Sequence, residues 1–187
     1  MRHHWTVLLL STLAINSGKS SSDDLADVVK LLDVSAFSRT LTVDHMDGIG
    51  DGFVHDAIAK GINIVHMDNI QDLRHEILSA EEVGELVVAS AKTFEAMADA
   101  MVAWSVKVIV LIVGEMDGSH DLLNGLRLDS NFFVASRSSE DRFLVRKLYK
   151  VSRNSEVSTI PCGTLRKVRN GFNQGFQCPT WFSYFSC

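Results

Sequence analysis

The sequence predicts an α/β fold: a parallel sheet with helices on both faces, followed by a carboxyl-terminal β-meander. Three observations predict it. Short strand-like segments alternate with segments of helical apolar spacing from residue 25 to residue 113. Residues 106–113 are apolar apart from Lys107, as in a strand covered on both faces. After residue 125, strand-like segments follow one another with turns between them.

The amino terminus has the pattern of a secretory signal peptide. A short basic start, residues 1–4, precedes the apolar run 5–15 and the small, polar residues 16–22. We therefore expect residues 1–22 to direct the chain into the secretory pathway. The alternative is a buried amino-terminal strand. No other segment approaches the ~20 apolar residues that a membrane-spanning helix needs.

Residues 23–170 form the predicted domain. Its first part alternates strands with helices, and the expected strands are residues 41–46, 62–67, 86–89 and 106–113. Gly61 follows the second helix and suits a carboxyl-terminal cap. The expected apolar helix faces consist of Leu25, Val28, Val29 and Leu32; Phe53, Val54, Ala57 and Ile58; Ile70, Leu73, Ile77 and Leu78; and Phe94, Met97, Ala98, Met101 and Val102.

The predicted meander has strands at residues 128–136, 143–151 and 158–163, with a polar turn at residues 136–141. Alternation in the middle strand assigns its residues to two faces, with Phe143, Val145, Tyr149 and Val151 on one and Leu144, Arg146, Leu148 and Lys150 on the other. Basic residues collect here and alternate with apolar ones, which predicts a solvated strand face. These basic residues are Arg142, Arg146, Lys147, Lys150, Arg153, Arg166, Lys167 and Arg169.

Residues 171–187 are rich in aromatic residues and keep no regular period, so we expect an irregular tail. The cysteines are Cys162, Cys178 and Cys187. Export favours disulfide pairing, but an odd number leaves one cysteine over or all of them free, and the disulfide state stays open. Their spacing matches no zinc pattern.

Charge and motif content exclude several functions. The net charge of −5 does not favour nucleic acid or anionic lipid as a partner. The acidic loop at residues 114–118 has too few ligands for calcium, so no metal site is expected. Ser119, His120 and Asp121 are adjacent in the chain, whereas a catalytic triad converges from separate segments. We therefore expect no catalytic residues and no enzyme activity.

A glycine-rich turn supplies the alternative function. Gly48, Gly50 and Gly52 lie between a strand and a helix, and Asp68 ends the next strand, as in a dinucleotide-binding unit. Phe53 occupies the position of the third glycine, and acidic residues flank the turn. We expect no cofactor, and we keep a small α/β enzyme or nucleotide-binding protein using the Gly48–Gly52 loop as the alternative. His45 and His66 also stand at expected strand ends, without a nucleophile beside them.

The order of residues in the meander resembles a receptor family. Asp129-Ser130, residues 133–135, Leu148-Tyr149 and Gly163-Thr164 occur in the order found at the end of the amino-terminal extracellular region of insect variant ionotropic receptors. These are chemosensory receptors related to ionotropic glutamate receptors. Residues 84–113, with a helix through Trp104, resemble the middle of that region. Leu165 stands where the family often has Trp, and residues 171–187 have no counterpart.

The resemblance implies a function in odorant detection. The chain would be the extracellular amino-terminal part of a chemosensory ligand-gated cation channel, with receptor subunits such as a co-receptor as partners. It would lie on the extracellular side of the cell membrane, or be secreted if a chain of this length is made. The family's ligand-binding domain and pore are not represented in these 187 residues. No ligand-binding residue can be carried over from the family.

Overall fold

The computed structural model describes residues 21–32, 37, 39–44, 51–66, 85–116 and 120–166. It has three α-helices, one short 3₁₀ helix and seven strands in that part of the chain. The helices are α1 (Ser21–Leu31), α2 (Asp51–Ala59) and α3 (Ala91–Trp104), with the 3₁₀ helix at His120–Leu123. The strands are β1 (Arg39–Asp44), β2 (Asn63–His66), β3 (Glu85–Ser90), β4 (Ile109–Val113), β5 (Phe132–Ser139), β6 (Arg142–Tyr149) and β7 (Ser158–Arg166).

All seven strands belong to one mixed sheet in the order β2-β1-β3-β4-β5-β6-β7. The pairs from β2 through β5 are parallel, and the pairs β5–β6 and β6–β7 are antiparallel. The α/β class is therefore confirmed, but the meander is not a separate unit after the parallel sheet. Its first strand, β5, pairs in parallel with β4 and extends the same sheet.

The strand β4 lies at the centre of two apolar layers. Val110 and Ile112 pack with α3 on one face, while Ile109 and Leu111 pack with α1 on the other. All of β4 is buried, so the predicted burial on both faces is confirmed. The strand starts later than predicted because the residues before it form a turn, in which the amide of Lys107 donates to the carbonyl of Trp104 at 2.8 Å.

The helix faces follow the apolar spacing in α1 and α3, but only in part in α2, where Val54 is half-buried. The predicted residues of α1 and of α3 are all buried. In α2, Ala57 is fully buried, but Ile58 is 63 % exposed, so its assignment to the core was wrong. The reason is position: α2 contacts α1 and the edge strand β2, which can cover only a narrow stripe of the helix. Gly61 has a positive φ of 74°, as its capping role requires.

Several predictions fall outside the described residues. These are the predicted helix at residues 70–78, most of the signal peptide, the tail at residues 171–187 and the cysteines Cys178 and Cys187. Residues 21–22, which the signal-peptide pattern includes, form the start of α1. Cys162 is a buried free thiol within the apolar layer on the α1 side of the sheet.

Candidate functional site

The carboxyl ends of the parallel strands form the first candidate site. From β1 the chain continues outward to β2, whereas β3 lies on the other side of β1 and leads on to β4. Ligands of open α/β sheets bind where the strand order reverses in this way, here between β1 and β3. Asp44 at the end of β1 is in register with His66 at the end of β2. The predicted strand-end position of His66 is confirmed.

Ser90 forms the β3 side of this edge. It is the last residue of β3 and the N-cap of α3, and its Oγ accepts a hydrogen bond from the amide of Thr93 at 3.1 Å. The two hydroxyl oxygens of Ser90 and Thr93 lie 3.0 Å apart, and both residues are buried. The cap satisfies one of the free amides at the start of α3. These hydroxyls are therefore engaged in holding the helix.

Gly114 follows β4 at the same end of the parallel strands. Its φ of 129° is a conformation that residues with a side chain rarely adopt. A Cβ built on Gly114 would meet the Cβ of Ala91, the first residue of α3, at 3.1 Å. The backbone after β4 thus passes directly against the start of α3, and a larger residue would separate them.

The glycine-rich stretch of the alternative function follows β1 in the chain. Residues 45–50, which connect β1 to α2, lie outside the described residues, and so does Asp68. Gly52 is the second residue of α2 and not part of a loop. The structure thus describes two of the five positions from Gly48 to Gly52, and both are helical.

The other candidate residues from the sequence do not converge. His55 and Asp56 are exposed on α2, and Asp56 pairs with Lys30 at 3.3 Å. His120 and Asp121 lie in the 3₁₀ helix, while Ser119 is outside the described residues. Within the ranges that the structure describes, no group of three or more His, Cys, Asp or Glu side chains could hold a metal ion. No helix in those ranges is long and apolar enough to cross a membrane.

A charged cluster joins α1 to the meander. The guanidinium of Arg137 on β5 donates to Asp24 and to Asp27 of α1, each at 2.7 Å, and lies 4.5 Å from the centre of the Phe143 ring. Burial lowers the pKa of Arg137, but the hydrogen bonds to Asp24 and Asp27 outweigh burial, and the pKa is raised. Arg137 therefore keeps its positive charge, and its two ion pairs hold α1 against the sheet.

A cleft of about 750 Å³ lies at the opposite end of the strands, where β5 begins and β6 ends. Two loops form it, residues 124–129 before β5 and residues 150–153 after β6. Its lining contains Arg127, Lys150 and Arg153 as basic residues and Asp129 as the acidic one. Lys150 is only 5 % exposed.

The sequence did not indicate the surroundings of three basic residues. Lys150 was assigned to a solvated strand face, and its burial corrects that assignment. Arg146 is half-buried: its Nη2 donates to Ser136 Oγ at 3.4 Å, while its Nε is buried without a hydrogen-bond partner. Arg137 pairs with a residue 113 positions away, and no local pattern signals such a contact. Alternation along β6 indicated only which face each side chain takes.

Comparison of the chain with family models, curated proteins and solved structures finds no match. The proposed function therefore rests on the fold, on the residues at the two ends of the parallel strands and on the resemblance found in the sequence.

Proposed function

We propose that the chain is the extracellular amino-terminal region of a chemosensory ligand-gated cation channel that resembles the insect variant ionotropic receptors. It would act in odorant detection on the extracellular side of the cell membrane, after removal of residues 1–22. Its partners would be other receptor subunits, including a co-receptor. In this role the region assembles or presents the receptor and carries out no chemistry of its own.

The observation that carries the proposal is the placement of the residues that resemble the family. Phe133, Val134 and Ala135 lie on β5, Leu148 and Tyr149 end β6, and Gly163 and Thr164 lie on β7. They therefore occupy three consecutive strands that complete a mostly parallel sheet with α1 and α3 on opposite faces. The resemblance implies a short α/β region for this part of the receptor, and the mostly parallel sheet with helices on both faces supports the proposal.

Two measurements test the proposal. The transcript should be read in all three frames beyond the codon for Cys187, where a receptor would encode a ligand-binding domain interrupted by pore helices. In insect cells, a tagged chain should reach the cell surface or the medium and co-purify with a co-receptor's amino-terminal region. Retention of the full chain in the cytosol, with no association, would contradict the proposal.

One observation favours the alternative of a nucleotide-binding protein or small α/β enzyme. The order of the five parallel strands, β2-β1-β3-β4-β5, is that of one common doubly wound fold, which binds its cofactor at the β1/β3 switch point. Residues 45–50 follow β1 in the chain and include Gly48 and Gly50, but they lie outside the described residues, and Gly52 is already part of α2. Titration with NAD, FAD and FMN by calorimetry separates the two functions, because the receptor proposal expects no binding at micromolar concentration.

A further inference from the structure

We infer that an open face of the meander binds a sulfated saccharide. This face lies on the same side of the sheet as α3, beyond the area where Phe132, Val134 and Leu148 pack with that helix. We call it the meander face, and it consists of Ser136 on β5, Arg142, Leu144 and Arg146 on β6, and Thr164 and Arg166 on β7.

Strand register and burial place these side chains on one face. Arg142 on β6 is directly opposite Arg166 on β7. The next pair along the two strands, Phe143 and Leu165, is buried on the other face, in the apolar layer beside α1. Because successive side chains of a strand point to opposite faces, the two arginines point away from α1. Both are exposed, as is Thr164, so the meander face is open to a ligand.

The facing arginines are the first reason to expect an anion. Side chains directly opposite each other in an antiparallel pair start about 5 Å apart, and like charges in such positions destabilise the sheet. Among the described residues, neither Arg142 nor Arg166 has an ion pair or a side-chain hydrogen bond. Glu140 and Asp141, in the turn before β6, pair with neither arginine. An anion shared by the two guanidinium groups would remove their repulsion.

Arg146 supplies a third positive group. It is half-buried, its Nε is buried without a hydrogen-bond partner, and its Nη2 donates to Ser136 Oγ at 3.4 Å. No carboxylate in the described part of the chain pairs with it, and such a partly buried cation is costly without an opposite charge. Ser136 is in register with Leu144, which places the guanidinium one row nearer to Arg142. Successive rows on one face are about 7 Å apart.

The arrangement favours sulfate groups on a sugar over a carboxylate. A sulfate presents three terminal oxygens that two guanidinium groups can share, whereas a single arginine occupies both oxygens of a carboxylate. A second sulfate about 7 Å away would meet Arg146. Between the two positions, half-buried Leu144 offers an apolar contact to a sugar ring, and the exposed hydroxyl of Thr164 can bond to sugar hydroxyls. The choice of sulfate over phosphate rests on the proposed function, because sulfated saccharides are extracellular.

The net charge of the chain limits the length of the ligand. The chain carries −5 overall, but charges more than about 8 Å apart are screened at physiological ionic strength, so the meander face acts locally. A short sulfated oligosaccharide therefore fits better than a long polyanion, which would also meet the negative remainder of the surface. Its affinity should fall as salt is added.

Calorimetric titration of the full chain with a heparin-derived hexasaccharide at low ionic strength tests the site. The hexasaccharide should bind at micromolar concentration, and the same hexasaccharide without its sulfate groups should not. Replacing both Arg142→Gln and Arg166→Gln should weaken binding at least about tenfold, and Arg146→Gln at least about threefold. Arg153→Gln is the matched control, because it removes an exposed charge in the loop after β6, and its affinity should stay within about twofold.

Several results would overturn the site. They are equal binding of the desulfated hexasaccharide, no binding at millimolar concentration, wild-type affinity in the double variant, or an equal loss in Arg153→Gln. Tighter binding of inositol hexakisphosphate or of a polyglutamate peptide would also reject a sulfated saccharide. Circular dichroism establishes whether the double variant folds; if it does not, Arg142→Gln and Arg166→Gln are tested singly, and wild-type affinity in both overturns the site. The titration uses purified chain, so its outcome is independent of export and of co-receptor association, which test the proposed function.

Discussion

Two isoleucines with opposite environments allow a direct test of the core. Ile109 on β4 is 8 % exposed, whereas Ile58 on α2 is 63 % exposed. Helical spacing assigned Ile58 to the core, and the structure places it on the surface. The same substitution, isoleucine to alanine, at both positions therefore compares a buried side chain with an exposed one.

The expected cost at Ile109 follows from what the substitution removes. Each of the three carbons lost contributes about 0.8 kcal/mol through burial, giving about 2.4 kcal/mol before any cavity forms. With the cavity left between β4 and α1 included, such truncations cost about 2–5 kcal/mol in total. A domain of this size is stable by about 5–15 kcal/mol, so Ile109→Ala removes a large fraction. Ile109→Asp, which buries an unpaired charge, should prevent folding.

Urea denaturation followed by circular dichroism measures the difference. The free energy of unfolding should fall by about 2–5 kcal/mol in Ile109→Ala. In Ile58→Ala it should change by less than about 0.5 kcal/mol, the usual range for surface substitutions. No loss at Ile109 would refute the central position of β4, and a loss of about 2–5 kcal/mol at Ile58 would refute its surface position.

Four further predictions concern the termini, the chemistry and the charged cluster. In insect cells the chain should be cleaved between about Asn16 and Asp24, as the signal pattern indicates; intact Met1 on intracellular protein would contradict this. NAD and FAD should not bind with a dissociation constant near or below ~1 µM, because Phe53 replaces the helix-packing glycine; tighter binding by calorimetry would favour the enzyme. Arg137→Met should cost about 1–3 kcal/mol in urea denaturation, and a double-mutant cycle with Asp24→Asn should show coupling of about 0.5–3 kcal/mol. Additive costs of the two single substitutions would show that the Arg137–Asp24 pair does not contribute to stability. Because the pKa of Arg137 is raised, the stability that its charge contributes is present below its unfolded-state pKa and is lost only at more alkaline pH than proteins tolerate. The cost of Arg137→Met should therefore be unchanged between neutral pH and about pH 10. A chain ending at Gly171 should melt within about 2–4 °C of the full chain, equivalent to about 1 kcal/mol; loss of its circular dichroism signal would instead make the tail part of the fold.

The sequence by itself determined the class of the fold and most of its described elements. Apolar spacing at Leu25, Val28, Val29 and Leu32 identified the buried face of α1, because helical periodicity is a local property of the chain. The continuous apolar run identified β4 as a strand buried on both faces for the same reason. Gly61 marked the end of α2, since a positive φ favours glycine whatever the surroundings.

Only the tertiary structure decided which local patterns meet. It joined the meander to the parallel sheet through the β4–β5 pair, exposed Ile58 and buried Lys150. It also brought Arg137 to Asp24 across 113 positions. Each of these outcomes depends on neighbours contributed by distant segments, and burial or charge pairing cannot be read from a residue's own spacing. The edge strand β2 covers little of α2, and the loops before β5 and after β6 enclose Lys150. Neither arrangement can be recognised from the residues next to Ile58 or Lys150 in the chain.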